Sequence, residues 1–259
     1  MKISEVIAVY KRKGLPEREA LILIAKYLRK SKEYILAHDD MECPDEVLKL
    51  LDKRLSGYPL QYILGEVEFY GRTFYISEGV LIPRWETEGL VELAIKYIKE
   101  YNLKNLIDIG LGSGIIAVTL ALETGVFIYG TDVSKKALEV ARKNADRYGI
   151  KCDFRLGAFA DPFVEIWDNI EMVVSNPPYV RSDVKLQKEL SYEPPEALFA
   201  GPEGLDFYKE FFKKYKIDGK IVLMEIGHDQ GNALRELTGG KIIKDLAGKD
   251  RYLVVNRKE

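Results

Sequence analysis

Leu106-Ile107-Asp108-Ile109-Gly110-Leu111-Gly112-Ser113-Gly114 runs from an apolar strand-like stretch into a loop with a glycine at every second position. The apolar residues Ile115, Ile116, Ala117 and Val118 follow at once and read as the first turn of a helix. A strand, a glycine loop and a helix in that order place free backbone N–H groups and a helix N-terminus at one edge of an α/β sheet. Glycines there allow a tight turn and a close backbone approach to a ligand.

The same alternation extends outwards. Strands are expected at 105–109, 126–131, 152–156, 171–175, 220–226, 241–245 and 252–256, and helices at 87–101, 113–123, 135–148, 205–216 and 230–237. Repeated β-α units predict an α/β, seven-stranded, Rossmann-like domain with a mostly parallel sheet covered on both faces. The last two strands have only a loop between them and are expected to pair antiparallel at one edge. Ahead of this domain, Ile3, Val6, Ile7 and Tyr10 share one helical face, Pro16 opens a second helix and Ser31 caps a third. Pro44-Asp45-Glu46 starts a fourth, and Gly57 to Ile63 ends the run. The residues around Gly71-Arg72 read as a β-hairpin. The expected organisation is a small helical domain at 1–62, a hairpin linker at 63–82 and the α/β domain at 83–259.

The second strand of the α/β part ends at Asp132, where a carboxylate can grip two ribose hydroxyls. A nicotinamide dehydrogenase favours G-x-G-x-x-G, with pyrophosphate on the helix dipole. Here the glycines read G-x-G-x-G, and Asp108 stands two residues before the first. A carboxylate at that point repels phosphate and suits a cationic ligand end. S-adenosylmethionine has no phosphate and carries a sulfonium and an ammonium, so charge favours the methyl donor. Asp108 can equally serve as a helix or loop hydrogen-bond acceptor, and both roles can coexist. After the third strand, Leu156-Gly157-Ala158-Phe159-Ala160 lies where an adenine ring would sit, and Phe159 could cover its face or belong to the core.

The strand at 171–175 ends in Asn176-Pro177-Pro178-Tyr179. Two prolines fix φ and remove two donors, so the chain leaves the sheet stiff and extended. The carbonyls of Asn176 and Pro177, with the Asn176 side-chain oxygen, then form a fixed set of acceptors at the ligand edge. Such a set suits a planar NH2 group of an amide or an amino-base. Asn176 Oδ1 and the Pro177 carbonyl can each accept one N–H and turn the nitrogen lone pair towards a methyl carbon. Pro178 and Tyr179 complete the substrate pocket, with Tyr179 packing on the planar group. No strong base is required, because the methylated nitrogen becomes acidic. The only histidines are His38 and His228, and His228 is expected to play a loop role.

The chain has 259 residues, of which 47% are hydrophobic and 31% charged, which suits a globular protein able to bury a sizeable core. No stretch approaches the ~20 apolar residues of a membrane helix. The first residues lack the apolar core and cleavage site of a signal peptide, and a cytoplasmic location is expected. Cys43 and Cys152 are far apart, so neither a disulfide framework nor a metal site is expected. With 39 basic and 41 acidic residues the net charge is −2, which gives no global field for nucleic acid.

Beyond these single readings, the chain resembles the protein-(glutamine-N5) methyltransferases that modify peptide chain release factors. The resemblance spans nearly the whole chain. It rests on Gly57 to Gly65, Ile82-Pro83-Arg84-Trp85-Glu86-Thr87-Glu88, Asp108 to Gly114 and Asp132. It continues through Asn144-Ala145, Asn176 to Tyr179, Glu193 to Leu198 and Glu225-Ile226-Gly227. It implies a class I methyltransferase domain acting on the glutamine of the Gly-Gly-Gln loop of class I release factors, with the helical domain and hairpin docking that protein. By the same resemblance Gly110, Gly112, Gly114, Asp132 and Phe159 lie at S-adenosylmethionine, and Asp108, Leu111, Ser113 and Asn176 are expected beside them at the cofactor. The catalytic set is then Asn176, Pro177 and Tyr179, and Asn176 to Tyr179 hold the glutamine amide. Trp85, Leu111 and Ala158 depart from the usual proline, threonine and acid. The last leaves adenine recognition to backbone groups.

Many methyltransferases share the Asn-Pro-Pro-Tyr sequence, so an amino-methyltransferase acting on an exocyclic NH2 of adenine or guanine in RNA or DNA is the rival reading. It predicts a basic groove or an added recognition domain. Residues 1–80 instead hold 13 basic and 13 acidic residues, which favours a protein partner. A dehydrogenase leaves Asn176 to Tyr179 unexplained, and a non-catalytic nucleotide-binding module leaves the assembled chemical groups without a task.

Overall fold

The structure, a computed structural model, describes residues 1–258. It divides into two compact units, Met1–Glu66 with Leu186–Tyr192, and Val67–Lys185 with Glu193–Glu259.

The first unit is helical: α1 (Ile3–Arg12), α2 (Glu17–Leu28), α3 (Lys32–Ala37), α4 (Asp45–Leu55) and α5 (Leu60–Leu64). Ile3, Val6, Ile7 and Tyr10 of α1 are buried at helical spacing against Ala20, Leu23 and Ile24 of α2 and Val47 and Leu51 of α4. Ser31 caps α3, its hydroxyl accepting from the Tyr34 N–H at 3.1 Å. The Tyr10 hydroxyl donates to Asp52 at 2.6 Å and ties α1 to α4. The fifth helix corrects the sequence reading, which took the stretch from Gly57 to Ile63 as the end of the helical run. Pro59 opens this helix and Gly65 closes it with φ 69°. At five residues it is too short to show a periodic signal. The Leu186–Tyr192 segment joins the same unit through Glu189, which pairs with Arg54 at 3.3 Å, and Tyr192, whose ring meets Tyr58 edge-on at 5.1 Å. Arg54 is also held by Glu19.

In the second unit a two-stranded hairpin, β1 (Glu66–Phe69) and β2 (Arg72–Tyr75), precedes α6 (Thr87–Tyr101). Then come β3 (Asn105–Ile109), α7 (Ile115–Thr124), β4 (Phe127–Asp132), α8 (Lys135–Arg147) and β5 (Cys152–Leu156). A 3-10 stretch at Asp161–Asn169, which the sequence pattern did not reveal, leads to β6 (Met172–Ser175). The remaining elements are α9 (Asp206–Lys214), β7 (Ile221–Glu225), α10 (Gly231–Thr238), β8 (Lys241–Lys244) and β9 (Asp250–Asn256).

The seven-stranded sheet runs β5-β4-β3-β6-β7-β9-β8. Its first five strands are parallel, and β9 runs antiparallel between β7 and β8. Alternation along the strands feeds two cores. Leu106, Met172, Val174, Ile221 and Leu223 face α6, α7 and α8, while Ile107, Ile109, Val173, Val222 and Met224 face α9 and the 3-10 stretch. Helix α7 is buried from Ile115 to Ala121, which explains its nearly unbroken apolar sequence. Strand order reverses between β3 and β6, so the crevice between their carboxyl ends is the place for a ligand. Among the described residues no helix is long and apolar enough to cross a membrane.

Candidate active site

A cavity of about 190 Å³ opens at that crevice, bounded by the ends of β3, β4, β5 and β6. Gly110, Gly112, Asp132, Phe159, Asn176 and Pro178 line it. So do Val80 and Leu81 ahead of α6, Ala158 beside Phe159, Glu196 and Ala197 from a later turn, and Phe207 of α9.

The glycine loop owes its shape to the ends of β3 and β4. The N–H groups of Gly110 and Leu111 both donate to the Thr131 carbonyl, at 2.9 and 3.0 Å. Gly112 then adopts φ 54°, and a Cβ on it would meet no atom within 4 Å, so the turn presents bare backbone. Gly114 serves packing instead: a Cβ there would stand 2.9 Å from that of Ala141 in α8. Asp132 fastens the loop. Its Oδ2 accepts from the Gly112 N–H and its Oδ1 from the Ser134 N–H, each at 2.8 Å. Burial raises its pKa, against the backbone N–H groups of Ser134, Gly112 and Val133 that favour the charged form.

Phe159 closes the far end. Its φ is 46°, a left-handed conformation that costs a non-glycine residue roughly 1 kcal/mol or more. Neighbours on both sides impose it: the Thr131 hydroxyl donates to the Phe159 carbonyl, and the Tyr215 hydroxyl accepts from the Ala160 N–H at 3.2 Å. The Phe159 ring packs on Phe207 with centroids 4.9 Å apart and still borders the cavity, so it is part core and part wall.

Other loop residues named from the sequence stand behind this surface. Asp108 is buried and does not border the cavity; its Oδ2 accepts from the Ala117 N–H at 3.2 Å, at the start of α7. Burial pushes its pKa up to about 8. The helix-capping role is the one its contacts describe. Leu111 lies over Gly130, and Ser113 is buried with its carbonyl accepting from Asn144 Nδ2 at 2.8 Å.

At the exit of β6, Asn176 Nδ2 donates to Thr87 Oγ1 at 3.1 Å, and the Thr87 hydroxyl donates to Glu225 Oε2 at 2.8 Å. The Tyr179 hydroxyl donates to Glu225 Oε1 at 3.2 Å. Pro177 is buried, and neither it nor Tyr179 borders the cavity. Tyr179 is instead held from two sides, its carbonyl accepting from Gln230 Nε2 at 3.0 Å. Past Tyr179 the chain pairs with the later turn, the Val180 N–H donating to the Leu198 carbonyl at 2.8 Å. Glu193 joins that turn to the stretch ahead of α6, accepting from the Ile82 N–H at 2.9 Å and from Arg84 at 2.6 Å. His228 is exposed on its loop.

Thr87, Glu193 and Glu225 were not chosen as site residues from the sequence. Glu225 did carry a signal: it is the one acid in the buried strand β7 and stands at its ligand-facing end. Trp85, in the same stretch as Thr87, is 61% exposed.

The arrangement offers a backbone-lined cavity with a carboxylate, Asp132, and an aromatic wall, Phe159, with Asn176 at its border. Open glycine backbone, a carboxylate at the cavity wall and, among the described residues, no cationic side chain on that wall fit a cofactor that has a ribose and adenine and lacks phosphate.

Known proteins share both parts. Residues 90–201 match the family model of the methyltransferase small domain, and residues 6–65 that of the PrmC N-terminal domain. Over 256 residues, 92% of each chain, the sequence is 38% identical to the release factor glutamine methyltransferase of Neisseria gonorrhoeae. It is 40% identical to that of Bacillus subtilis, over 76% of this chain and 75% of the other. Among solved structures, the hMettl16 catalytic domain in complex with a 3′UTR hairpin superposes with a TM-score of 0.57 at 15% identity, covering 73% of this chain and 77% of that one. The T. thermophilus 16S rRNA methyltransferase RsmC, in complex with AdoMet and guanosine, gives 0.52 at 15% identity, over 74% and 49%. These structures share the fold of the catalytic unit.

Proposed function

The chain belongs to the release factor glutamine methyltransferase family, and from that premise we propose that it methylates the side-chain nitrogen, N5, of the glutamine in the Gly-Gly-Gln loop of class I release factors. The observation that carries the reading is the locked amide of Asn176. With Nδ2 committed to Thr87, Oδ1 is the atom left to receive an acceptor N–H. A site that presents fixed acceptors to a planar NH2 group suits a carboxamide.

Gly110, Gly112, Asp132 and Phe159 would hold S-adenosylmethionine, which when bound supplies an electrophilic methyl group on sulfur. Asn176 Oδ1 and the Pro177 carbonyl would each accept one N–H of the glutamine amide. Holding both N–H groups aims the nitrogen lone pair and stabilises the positive charge that grows on nitrogen. The surplus proton then passes from nitrogen to water, because an N-alkylated amide in its protonated form is a strong acid. Tyr179, anchored by Glu225 and Gln230, keeps the Pro177-Pro178 exit rigid.

Residues 1–62 would dock the release factor, with the hairpin at 63–82 as linker and 83–259 as the catalytic domain, in a cytoplasmic enzyme. The match to the PrmC N-terminal domain and the balanced charge of residues 1–80 support a protein partner.

One assay decides. The protein is incubated with labelled S-adenosylmethionine and, in parallel, with a release factor and with total nucleic acid. Label is expected on the release factor, at the glutamine by mass spectrometry. Label on nucleic acid and none on the release factor would establish the exocyclic-amine reading in its place.

A further inference from the structure

We propose that Thr87 and Glu225 are positioning residues for methyl transfer: the Glu225 carboxylate takes the Thr87 hydroxyl proton, and Thr87 thereby holds the Asn176 amide with Oδ1 towards the acceptor. The inference rests on the reading that Asn176 Oδ1 receives an acceptor N–H.

The three residues come from the start of α6, the exit of β6 and the end of β7. A threonine hydroxyl has one proton and two lone pairs. Between a carboxylate at 2.8 Å and an amide at 3.1 Å, the proton goes to the carboxylate, where the charge-assisted bond is the stronger. The lone pairs of Thr87 Oγ1 then face Asn176 and admit only its NH2. A flipped amide would set two oxygens against each other and present a donor to a substrate group that is itself a donor. Among the described residues no other hydrogen bond involves the Asn176 side chain, so the polarity of the acceptor set depends on Thr87, and that of Thr87 on Glu225.

Glu225 is fully buried, and its second oxygen accepts from the Tyr179 hydroxyl at 3.2 Å. Arg251 of β9, itself held by Asp245 at 3.2 Å, favours the ionised form, and Glu86 opposes it. Tyr208 and Tyr252 also face this group, the Tyr208 hydroxyl donating to the Glu225 backbone carbonyl at 2.7 Å. Burial raises the Glu225 pKa to about 7. Once protonated, the carboxyl keeps its own proton and can donate to Thr87. The Thr87 proton is then free to meet Asn176 Oδ1, and the amide loses its fixed direction. Turnover therefore falls as pH drops through about 7.

Two measurements test this. In the first, kcat and KM for a release factor are followed against pH for the wild type and for Thr87→Val, Thr87→Ser and Glu225→Gln. Thr87→Val should lower kcat on the order of a hundredfold with little change in KM, and Thr87→Ser should restore most of it. Glu225→Gln should be slow and lose the acid limb. In the second, NMR with 15N-asparagine follows the Asn176 side-chain amide without cofactor or substrate. Its hydrogens should exchange slowly in the wild type and in Thr87→Ser and fast in Thr87→Val, and its signals should move with pH near 7 except in Glu225→Gln. Thermal melts identify a variant that fails to fold, and the wild-type NMR titration then decides. Equal kcat in Thr87→Val and the wild type, or an Asn176 amide indifferent to both substitutions, would overturn the proposal. If the wild type methylates no release factor, the substrate reading falls, while the amide exchange still decides the positioning role.

Discussion

The side chain of Asn144 in α8 bonds both backbone groups of Tyr75 in β2, its Oδ1 accepting from the N–H at 2.7 Å and its Nδ2 donating to the carbonyl at 3.0 Å. The same Nδ2 donates to the Ser113 carbonyl at 2.8 Å. One buried amide thus ties the hairpin to the glycine loop. Replacing Asn144 with Ala removes the bonds it makes to the Tyr75 N–H and carbonyl and to the Ser113 carbonyl. The expected loss is about 3 kcal/mol in denaturant unfolding, with weaker cofactor binding as the loop loosens. A loss no larger than that of an exposed substitution would show that water takes over these bonds.

Asn176→Ala should lose on the order of a hundredfold or more in turnover while binding the cofactor product S-adenosylhomocysteine nearly as well as the wild type. Single-turnover kinetics and calorimetric titration separate the two effects. A large loss of affinity would move Asn176 to the cofactor.

Asp132→Ala is expected to show the opposite pattern. It removes the proposed ribose acceptors and also frees the Gly112 and Ser134 N–H groups, so affinity for S-adenosylhomocysteine should fall at least about tenfold, as for loss of a charged hydrogen-bond partner. Unchanged affinity in the same titration would contradict the ribose assignment.

Asp108 makes the fold sensitive to pH. Its folded pKa of about 8 lies above the ordinary carboxylate value of 3.8. Between those values the folded state holds a proton that the unfolded state has released. Stability therefore declines as pH rises through this window and levels off above about 8. Glu225, raised to about 7, adds a slope of the same sign. Asp108→Asn should flatten the decline without abolishing it. Urea unfolding from pH 5 to 9 measures the slope, and an unaltered slope in the variant would place the titration elsewhere.

The left-handed backbone at Phe159 separates two substitutions that both delete the ring. Phe159→Gly relieves the backbone conformation and Phe159→Ala does not, so the glycine variant should be the more stable by about 1 kcal/mol. Both should bind S-adenosylhomocysteine more weakly than the wild type. Equal melting temperatures for the two would mean that the segment relaxes once the ring is gone.

Much of this was legible along the chain because its signals are local. Helix α6 at Thr87–Tyr101 buries Leu90, Val91, Ala94 and Ile98 on one face, and strand β3 at Asn105–Ile109 runs straight into glycine. Both could be read from spacing alone. The Asn-Pro-Pro-Tyr exit is equally local, since proline imposes its geometry whatever surrounds it. Helix α5 and the 3-10 stretch at Asp161–Asn169 escaped because one is a single turn and the other lacks the 3.6-residue period.

Residue type and spacing determined an α/β sheet with a glycine loop and a rigid acceptor at its ligand edge. Which side chains face the ligand was decided only in three dimensions. Asp108 and Asp132 were both plausible cofactor acids in sequence; β3 buries the first beneath α7, and the end of β4 presents the second to the cavity. Thr87 and Glu225 stand 138 residues apart, and nothing near either one announces the other. They meet because α6 packs over the end of β7. A hydrogen bond acts over about 3 Å of space whatever the length of chain between its partners. The direction of the Asn176 amide is therefore a property of the folded sheet.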